Sequence, residues 1–335
     1  SSGVKLYQEY ILDQRRSFTD LLRDFPSCRS ITMAGILSLL PSIPPRYYSI
    51  SSSPLDTTKG SCLSIAFSVV DYLTTSWVVN GREAGRRRIH GIATSYLETS
   101  CVPFLAGKGD FNFAPSMVKI FPKPTADFRL PPSLSTPIVL IGPGTGIAPF
   151  MGFLTHRRSL LFSRVNHDAA DTVVEGTWRG GYELETHDLS LDHKDSEGLR
   201  LQTCNKDHQA AGKVEVYFGC RHQNHDWLFE NEMKKFVSEG IITNLYTAFS
   251  RDEQKQYVQD LMRSKDASQR LVNLITKEKG VIYICGDGNS MARDVQNTLA
   301  EILSNDVNGN HDTNIGREHI EKLKREGRLL LDIWS

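Results

Sequence analysis

The sequence predicts an α/β plus β fold, in which helices are followed by antiparallel strands and then by a doubly wound parallel sheet. Three observations lead to this prediction. Apolar residues recur at helical spacing over residues 1–45, and short β-branched or aromatic segments follow over residues 46–131. Beyond residue 131, short apolar runs alternate with helical patterns, as in a parallel sheet covered by helices. The 335 residues are enough for two domains.

The first 45 residues are predicted to form a helical segment. Apolar and aromatic residues from Tyr7 to Phe25 recur three, four or seven positions apart, which indicates one helix face, and Pro26 ends that helix. A second helix is predicted over residues 31–40. Pro44-Pro45 then forces extended backbone.

Residues 46–131 are predicted to form antiparallel strands. Segments 46–51, 62–71 and 117–121 are short and are bounded by Gly, Pro and Ser, which is typical of such strands. Pro131-Pro132 is predicted to be the linker to the next domain.

Residues 132–335 are predicted to form the doubly wound domain. Its predicted strands are 138–141, 214–220, 244–249, 281–285 and 329–333. Its predicted helices are 150–161, 227–237, 269–276 and 291–302. Residues from about 165 to 212 are polar and rich in Asp, His, Gly and Ser, so we expect a surface insertion there.

Composition excludes several classes of protein. Lys plus Arg and Asp plus Glu each number 39, so no overall field favours nucleic acid or an anionic membrane surface. No apolar run approaches the roughly 20 residues of a membrane helix. The six cysteines form no Cys-x-x-Cys pair, which favours free thiols in a reducing compartment and a cytoplasmic location. The start at Ser1-Ser2-Gly3 leads us to expect a piece of a longer protein.

The strongest local motif is a glycine-rich turn between a predicted strand and a predicted helix. Gly142, Gly144 and Gly146 allow backbone to approach a ligand closely, and the helix start offers N–H groups suited to phosphate. Thr145 adds a hydroxyl group. Tight packing without a ligand is the alternative interpretation.

Two earlier motifs contain residues that are suited to binding a flat, phosphorylated ligand. In Arg46-Tyr47-Tyr48-Ser49, the arginine can bind a diphosphate, Tyr48 can stack on a ring and Ser49 can hydrogen-bond the polar edge of that ring. Gly91-Ile92-Ala93-Thr94 resembles a helix start that faces an anion. An ordinary strand and an ordinary helix start are the alternatives.

Three later segments follow predicted strands at their carboxyl ends, where open parallel sheets bind ligands. Ser250 and Arg251, with Lys255 and Tyr257, make a pocket for a terminal phosphate, such as the 2′-phosphate that separates NADPH from NADH. A solvated charged loop is the alternative. Cys285-Gly286-Asp287-Gly288 ends another strand, and the chain closes with an aromatic residue, Trp334.

These motifs, in this order and spacing, resemble the FAD- and NADPH-binding region of the diflavin reductases. Four segments are most similar to the methionine synthase reductases of that family, namely residues 21–28, 218–229, 248–252 and 332–335. Residues 46–49 and 91–95 are equally similar to its cytochrome P450 reductases. Strands upstream of the helical segment and an FMN domain are absent from the sequence, and the loop after Arg251 is short.

The resemblance implies a truncated antiparallel flavin-binding β-barrel over residues 46–131 and an NADPH-binding domain over 132–335. It implies that the catalytic residues are Ser49, Cys285, Asp332 and Trp334. It also implies that the residues binding FAD are Arg46, Tyr47, Tyr48, Ser49, Gly91, Ile92, Ala93, Thr94 and Trp334. The residues expected to bind NADPH are Gly144, Thr145, Arg221, Ser250, Arg251, Lys255, Tyr257, Gln259, Asp287, Met291 and Asp294.

The implied activity is transfer of a hydride from NADPH to FAD. Electrons would then pass through FMN, on a domain outside this chain, to a protein acceptor. Methionine synthase is the expected acceptor, and the expected role is reductive reactivation of that cobalamin enzyme. The alternatives are a cytochrome P450 reductase, a single-flavin ferredoxin–NADP⁺ reductase and a non-catalytic docking module.

No metal site is expected. Cys220, His222 and His225 lie close together in sequence, but they lack the spacing of a zinc site. The remaining candidate ligands lie in the polar insertion, and they are His187, His193 and His208.

Overall fold

The computed structural model describes most of the chain as two compact units. The described residues are 2–56, 62–79, 82–105, 117–123, 125, 127–170, 199–202, 211–287, 290–304 and 313–334. The first unit comprises Ser1–Tyr48 and Phe67–Pro122, and the second comprises Ser49–Ala66 and Lys123–Ser335.

The first unit begins with short helices where the sequence predicted one long helix. These are α1 (Ser2–Tyr7), a π-helical turn (Gln8–Leu12), α2 (Phe18–Asp24), a 3-10 turn (Pro26–Ser30) and α3 (Met33–Leu39). The predicted continuous helix is wrong because Ser17 starts a new one. Its hydroxyl accepts the N–H of Asp20, whose carboxylate accepts the N–H of Ser17. The second predicted helix is confirmed as α3.

The strands of the first unit differ from those predicted. Two antiparallel pairs are present, in which β1 pairs with β4 and β2 with β3. Their bounds are β1 Asp71–Leu73, β2 Trp77–Val79, β3 Arg82–Ala84 and β4 Arg88–His90. Helix α4, Ile92–Leu105, follows.

The predicted strands 46–51, 62–71 and 117–121 are wrong, apart from residue 71 at the start of β1. In the described part of the chain these segments show only one isolated bridge, between Ile50 and Ile65 of the second unit. The two described pairs do not confirm a closed barrel. A β-branched run favours extended backbone, but a strand also requires a partner at the right distance, which the run does not specify.

Polar contacts fill the buried positions of the first unit. Among its described residues, the buried side chains are those of Gln14, Asp20 and Thr74. Gln14 accepts a hydrogen bond from the Thr74 hydroxyl and donates one to the Thr75 carbonyl. Arg87 donates to Asp20 at 2.6 Å, and that bond holds the pKa of the carboxyl group well below its usual range.

The second unit contains a six-stranded sheet with the order β10-β9-β5-β7-β8-β6. The first five strands in this order are parallel, and β6 is antiparallel to β8. The strand bounds are β5 Ile138–Ile141, β6 Leu199–Gln202, β7 Val214–Cys220, β8 Asn244–Phe249, β9 Val281–Asp287 and β10 Leu329–Trp334. The predicted parallel strands are confirmed, and the last two extend beyond their predicted ends.

Helices connect these strands, as predicted, but three of the described helices were not predicted and several bounds differ. The helices are α5 Ala148–Ala170, α6 Gln223–Asp226, α7 Glu230–Ser238, α8 Val258–Arg263, α9 Lys265–Val272, α10 Met291–Ser304 and α11 Thr313–Arg325. The helices that the sequence did not predict are α6, α8 and α11. The π-helical turn Asn273–Lys277 extends α9.

Two described elements reach into the predicted insertion over about 165–212. Helix α5 continues to Ala170, and β6 adds an edge strand to the sheet. Residues 171–198 and 203–210 of that prediction lie outside the described residues.

A buried polar network joins β7 to β8 at the start of both strands. The carboxylate of Glu215 accepts hydrogen bonds from Tyr217 at 3.0 Å and from Asn244 at 3.1 Å. The guanidinium of Arg270 lies 3.4 Å from the same carboxylate, which compensates its charge inside the protein. The rings of Tyr217 and Tyr246 stack at 4.6 Å. The network fixes the strands whose opposite ends carry predicted site residues.

None of the helices in the described ranges combines the length and apolar character that a membrane-spanning helix needs.

Candidate active site

The carboxyl edge of the parallel sheet carries most of the predicted site. Along this edge, β10 and β9 end near Asp332 and Cys285, β5 ends at the glycine turn, and β7 and β8 end before Arg221 and Ser250. Four spacings of about 4.8 Å separate β10 from β8, so the edge is roughly 19 Å long. The chain passes from β5 to β7 on one side and returns to β9 on the other. This reversal is where open α/β sheets bind ligands.

Three predicted catalytic side chains meet at one carboxylate oxygen. The Ser49 hydroxyl donates a hydrogen bond to Oδ2 of Asp332 at 2.9 Å. The Cys285 thiol donates to the same oxygen from 3.7 Å. Parallel pairing of β10 with β9 sets Asp332 opposite Cys285, so backbone register determines this contact. All three residues belong to the second unit.

The Cys285 thiol is fully buried. Burial raises the pKa of this thiol far above its ordinary value, and the negative charge of Asp332 raises it further. The thiol is therefore protonated at neutral pH. A neutral side chain at this position packs and donates, and it does not act as a nucleophile.

Two residues that the sequence analysis missed hold the Ser49 segment against α5. A Cβ atom on Gly152 would lie 3.0 Å from the carbonyl oxygen of Ser52, closer than an ordinary contact, so glycine favours this close approach of the two backbones. The Ser53 hydroxyl and Nδ1 of His156 are 3.1 Å apart, within hydrogen-bonding distance. A glycine inside a helical pattern signals such an approach, but the sequence does not say what approaches.

The glycine turn has the shape of a ligand cradle. Gly144 has a φ of +57°, and no atom lies within 4 Å of where its Cβ would stand. A Cβ on Gly146 would lie 2.1 Å from the Cys285 carbonyl oxygen, so the turn packs directly on β9. Residues Gly144–Ile147 form a 3-10 turn that leads into α5, with Thr145 half-buried. The open space beside Gly144, in a turn that leads into a helix start, leaves room for a diphosphate.

Backbone hydrogen bonds join the loops after β7 and β8. The N–H of Ser250 donates to the Cys220 carbonyl at 2.9 Å, and the N–H of Arg251 donates to the Arg221 carbonyl at 2.8 Å. The Ser250 hydroxyl also donates to the Cys220 carbonyl, at 3.3 Å. Both arginine side chains are exposed. Two cations therefore stand on adjacent strand ends, where a phosphate can bind both.

The other predicted NADPH residues of the second unit lie on α8, on α10 and at the end of β9. Lys255 lies 5.3 Å from the ring of Tyr257, which precedes α8, and Gln259 is inside that helix. Met291 and Asp294 occupy the first turn of α10.

Two predicted residues occupy the last positions of paired strands. Asp287 ends β9 and pairs in register with Trp334, which ends β10. Trp334 is 43% exposed, so part of its surface is available to a ligand.

The first unit carries the predicted FAD diphosphate residues. The N–H of Gly91 donates to the Val70 carbonyl at 2.8 Å, and the Val70 N–H donates to the Thr94 hydroxyl at 3.1 Å. These bonds fix the start of α4, whose first residues, Ile92 and Ala93, have backbone N–H groups in the unpaired first turn.

The first three residues of the Arg46 motif, Arg46, Tyr47 and Tyr48, lie on irregular backbone in the same unit. Arg46 is exposed and donates to the Pro44 carbonyl. Tyr47 contacts Phe121 edge-on, and Tyr48 contacts Phe67 in the same way. An exposed guanidinium and a half-buried aromatic ring fit a diphosphate and a flat ring.

The residues considered for a metal have other contacts. Nδ1 of His222 lies 3.0 Å from a carboxylate oxygen of Asp252, and Cys220 donates to the His222 carbonyl. Over the described ranges of the chain, no group of three His, Cys, Asp or Glu residues is arranged to hold a metal ion. His187, His193 and His208 lie outside the described residues.

Comparison with known proteins agrees with this geometry. Residues 1–96 match the family model of an FAD binding domain, and residues 200–297 match that of an oxidoreductase NAD-binding domain. The second match covers β7, β8 and β9, whose carboxyl ends carry the predicted NADPH residues.

Whole-chain relatives include two kinds of reductase. The chain is 32% identical to methionine synthase reductase of Mus musculus over 346 residues, which is 99% of this chain and 42% of the relative. It is 32% identical to NADPH–cytochrome P450 reductase of Cavia porcellus and 33% identical to that of Drosophila melanogaster, again over 99% of this chain and 39% of each relative. The chain thus spans about two fifths of these relatives, and its cofactors are FAD and NADPH. The chain belongs to the diflavin reductase family, of which it represents the FAD- and NADPH-binding region.

Proposed function

We propose that the protein containing this chain takes electrons from NADPH into FAD and passes them through FMN to a protein acceptor. The observation that supports this most directly is the meeting of Ser49, Cys285 and Asp332 beside the glycine turn. Family membership supports the NADPH-dependent flavoprotein reductase activity. The FMN step and the acceptor are proposals.

When bound, the nicotinamide and the flavin supply the hydride chemistry, and the protein orients them. Asp332 provides a fixed negative charge that stabilises positive charge developing on a neighbouring ring. Ser49 donates to that carboxylate and holds its orientation. Cys285 fills the position beside it with a neutral thiol and excludes water.

Binding of the two cofactors is assigned to different groups of residues. We assign the NADPH diphosphate to Gly144 and Thr145, and the 2′-phosphate and adenine to Arg221, Ser250, Arg251, Lys255 and Tyr257. Gln259, Asp287, Met291 and Asp294 complete the proposed NADPH site. For FAD, Arg46 and residues 91–94 would hold the diphosphate, and Tyr47, Tyr48 and Ser49 would lie at the ring. Trp334 would stack on the flavin and give way to nicotinamide.

The proposed acceptor is methionine synthase, so the role would be reductive reactivation of its cobalamin. The similarity of residues 218–229 and 248–252 to methionine synthase reductases supports this choice. Near-equal identity to the P450 reductases makes a cytochrome P450 the second candidate. Reduction assays with each acceptor, using the full-length protein, would separate the two: reactivation of methionine synthase without turnover of a cytochrome P450 supports the first.

The reductase activity is tested by anaerobic mixing of full-length protein with NADPH while flavin absorbance is followed. We expect Asp332→Asn and Cys285→Ala each to slow flavin bleaching by roughly tenfold or more, because each removes a group at the reacting rings. Cys28→Ala, which removes an exposed thiol of the first unit, is the matched control and should bleach at the original rate. Unchanged bleaching in the Asp332 variant would contradict its assigned role.

A further inference from the structure

The loops that carry Arg221 and Arg251 also carry a carboxylate, that of Asp252. Asp252 follows Arg251 directly, and its carboxylate is a potential partner for either guanidinium. In the described part of the chain, however, neither Arg221 nor Arg251 forms an ion pair with a carboxylate. Other contacts therefore occupy the Asp252 carboxylate.

Both oxygens of the Asp252 carboxylate are occupied by the preceding loop. Oδ1 lies 3.0 Å from Nδ1 of His222, and Oδ2 accepts the backbone N–H of Gln223 at 3.1 Å. These bonds hold the pKa of Asp252 below its usual range, the N–H of Gln223 being the larger cause, so the group is a carboxylate at neutral pH. His222 donates from Nδ1 whether it is neutral in that tautomer or protonated.

We propose that His222 and Asp252 form a positioning pair that keeps Arg221 and Arg251 available for the 2′-phosphate of NADPH and thereby sets the preference for 2′-phosphorylated nucleotides. The inference rests on the proposed function, which assigns that phosphate to this edge of the sheet. His222 and Asp252 are positioning residues and do not contact the phosphate themselves. Without His222, one carboxylate oxygen would be free to pair with a neighbouring guanidinium.

The test compares two ligands that differ only in the 2′-phosphate. Titration calorimetry of the full-length protein gives the dissociation constant of 5′-AMP divided by that of 2′,5′-ADP, a ratio that measures the preference for the 2′-phosphate. We expect His222→Ala to lower this ratio by roughly 3- to 5-fold, the size of an exposed charge interaction, while 5′-AMP binding is unchanged. A purely structural role would weaken both ligands equally, and that result would overturn the proposal.

Second variants keep the test decisive. His222→Asn places an amide donor near the position of Nδ1 and should preserve the ratio. The double variant His222→Ala/Asp252→Asn removes the competing charge as well and should restore the ratio to within about twofold of the original protein. Failure of the double variant to restore it would also overturn the proposal.

His225→Ala is the matched control, because His225 lies in the same loop and forms no hydrogen bond to Asp252 in the described structure; its ratio should not change. Thermal unfolding of each variant shows whether it is folded. If the original protein itself fails to prefer 2′,5′-ADP, the assignment of the 2′-phosphate is contradicted. If it prefers 2′,5′-ADP and His222→Ala retains that preference, only the positioning pair is contradicted.

Discussion

At the scale of residues, the site depends on a buried thiol next to a carboxylate. Cys285 and Asp332 are 47 positions apart, and Ser49 is 283 positions from Asp332, yet both donate to the same oxygen. Burial and the negative charge make ionisation of Cys285 unfavourable in the folded protein. The unfolded chain has no such restraint, and this difference couples folding to pH.

The free energy of unfolding is expected to fall as the pH rises above 9, the ordinary pKa of a cysteine thiol. Above that pH the unfolded state releases the Cys285 proton while the folded state keeps it, so stability declines by up to about 1.4 kcal/mol per pH unit. Urea denaturation at pH 8, 9 and 10 measures the slope. Cys285→Ala removes the titrating group, and its slope should be shallower; equal slopes would contradict the raised pKa.

At the scale of elements, the β5–α5 turn is built around close packing that only glycine permits. A Cβ on Gly146 would come within 2.1 Å of the Cys285 carbonyl oxygen, and a Cβ on Gly142 within 2.6 Å of the Gly146 carbonyl oxygen. The turn therefore packs directly on the end of β9. A shift of the turn therefore displaces the end of β9, and the reverse also holds, because both contacts are made by backbone atoms and neither involves a flexible side chain.

Gly146→Ala is expected to lower the free energy of unfolding by roughly 1–3 kcal/mol through overpacking, and to weaken NADP⁺ binding as the turn shifts. Gly85→Ala is the control, since nothing lies within 4 Å of its Cβ position, and it should change stability by no more than about 0.5 kcal/mol. Denaturant unfolding and NADP⁺ titration measure both effects. Equal free energies of unfolding for the two variants would show that the turn accommodates the extra methyl group, and would contradict the prediction.

At the scale of the whole molecule, apolar burial is unequal between the two units. Every fully buried apolar side chain among the described residues belongs to the second unit. The described interior of the first unit is polar and is held by hydrogen bonds and the Asp20–Arg87 ion pair. Because hydrophobic burial dominates folding stability, the second unit is the more stable of the two.

Hydrogen–deuterium exchange followed by mass spectrometry tests this difference. Amides of β5, β7 and β9 should exchange slowest, since these strands are central and buried. Amides of β1 and β4 in the first unit should exchange faster, because these two strands are largely exposed. Equal protection of β1 and β7 would contradict the inequality.

Sequence patterns predicted the second unit well and the first unit poorly, for a physical reason. Strands 138–141, 214–220 and 244–249 were predicted to the residue because buried parallel strands are continuous apolar runs bounded by turn residues. Segments 46–51 and 117–121 have similar local composition, but in the described structure they show only the isolated bridge of Ile50 to Ile65. Extended propensity is local, whereas strand pairing is not.

The sequence alone determined the parallel α/β class, the glycine turn and which residues follow each strand, because periodicity and glycine placement are properties of neighbouring positions. Only the tertiary structure decided that β9 lies between β5 and β10, which brings Cys285 to Asp332. Only the tertiary structure also shows that the Ser49 segment packs against Gly152 and that His222 contacts Asp252. Such contacts depend on strand order and close packing across long sequence separations, which no local pattern encodes.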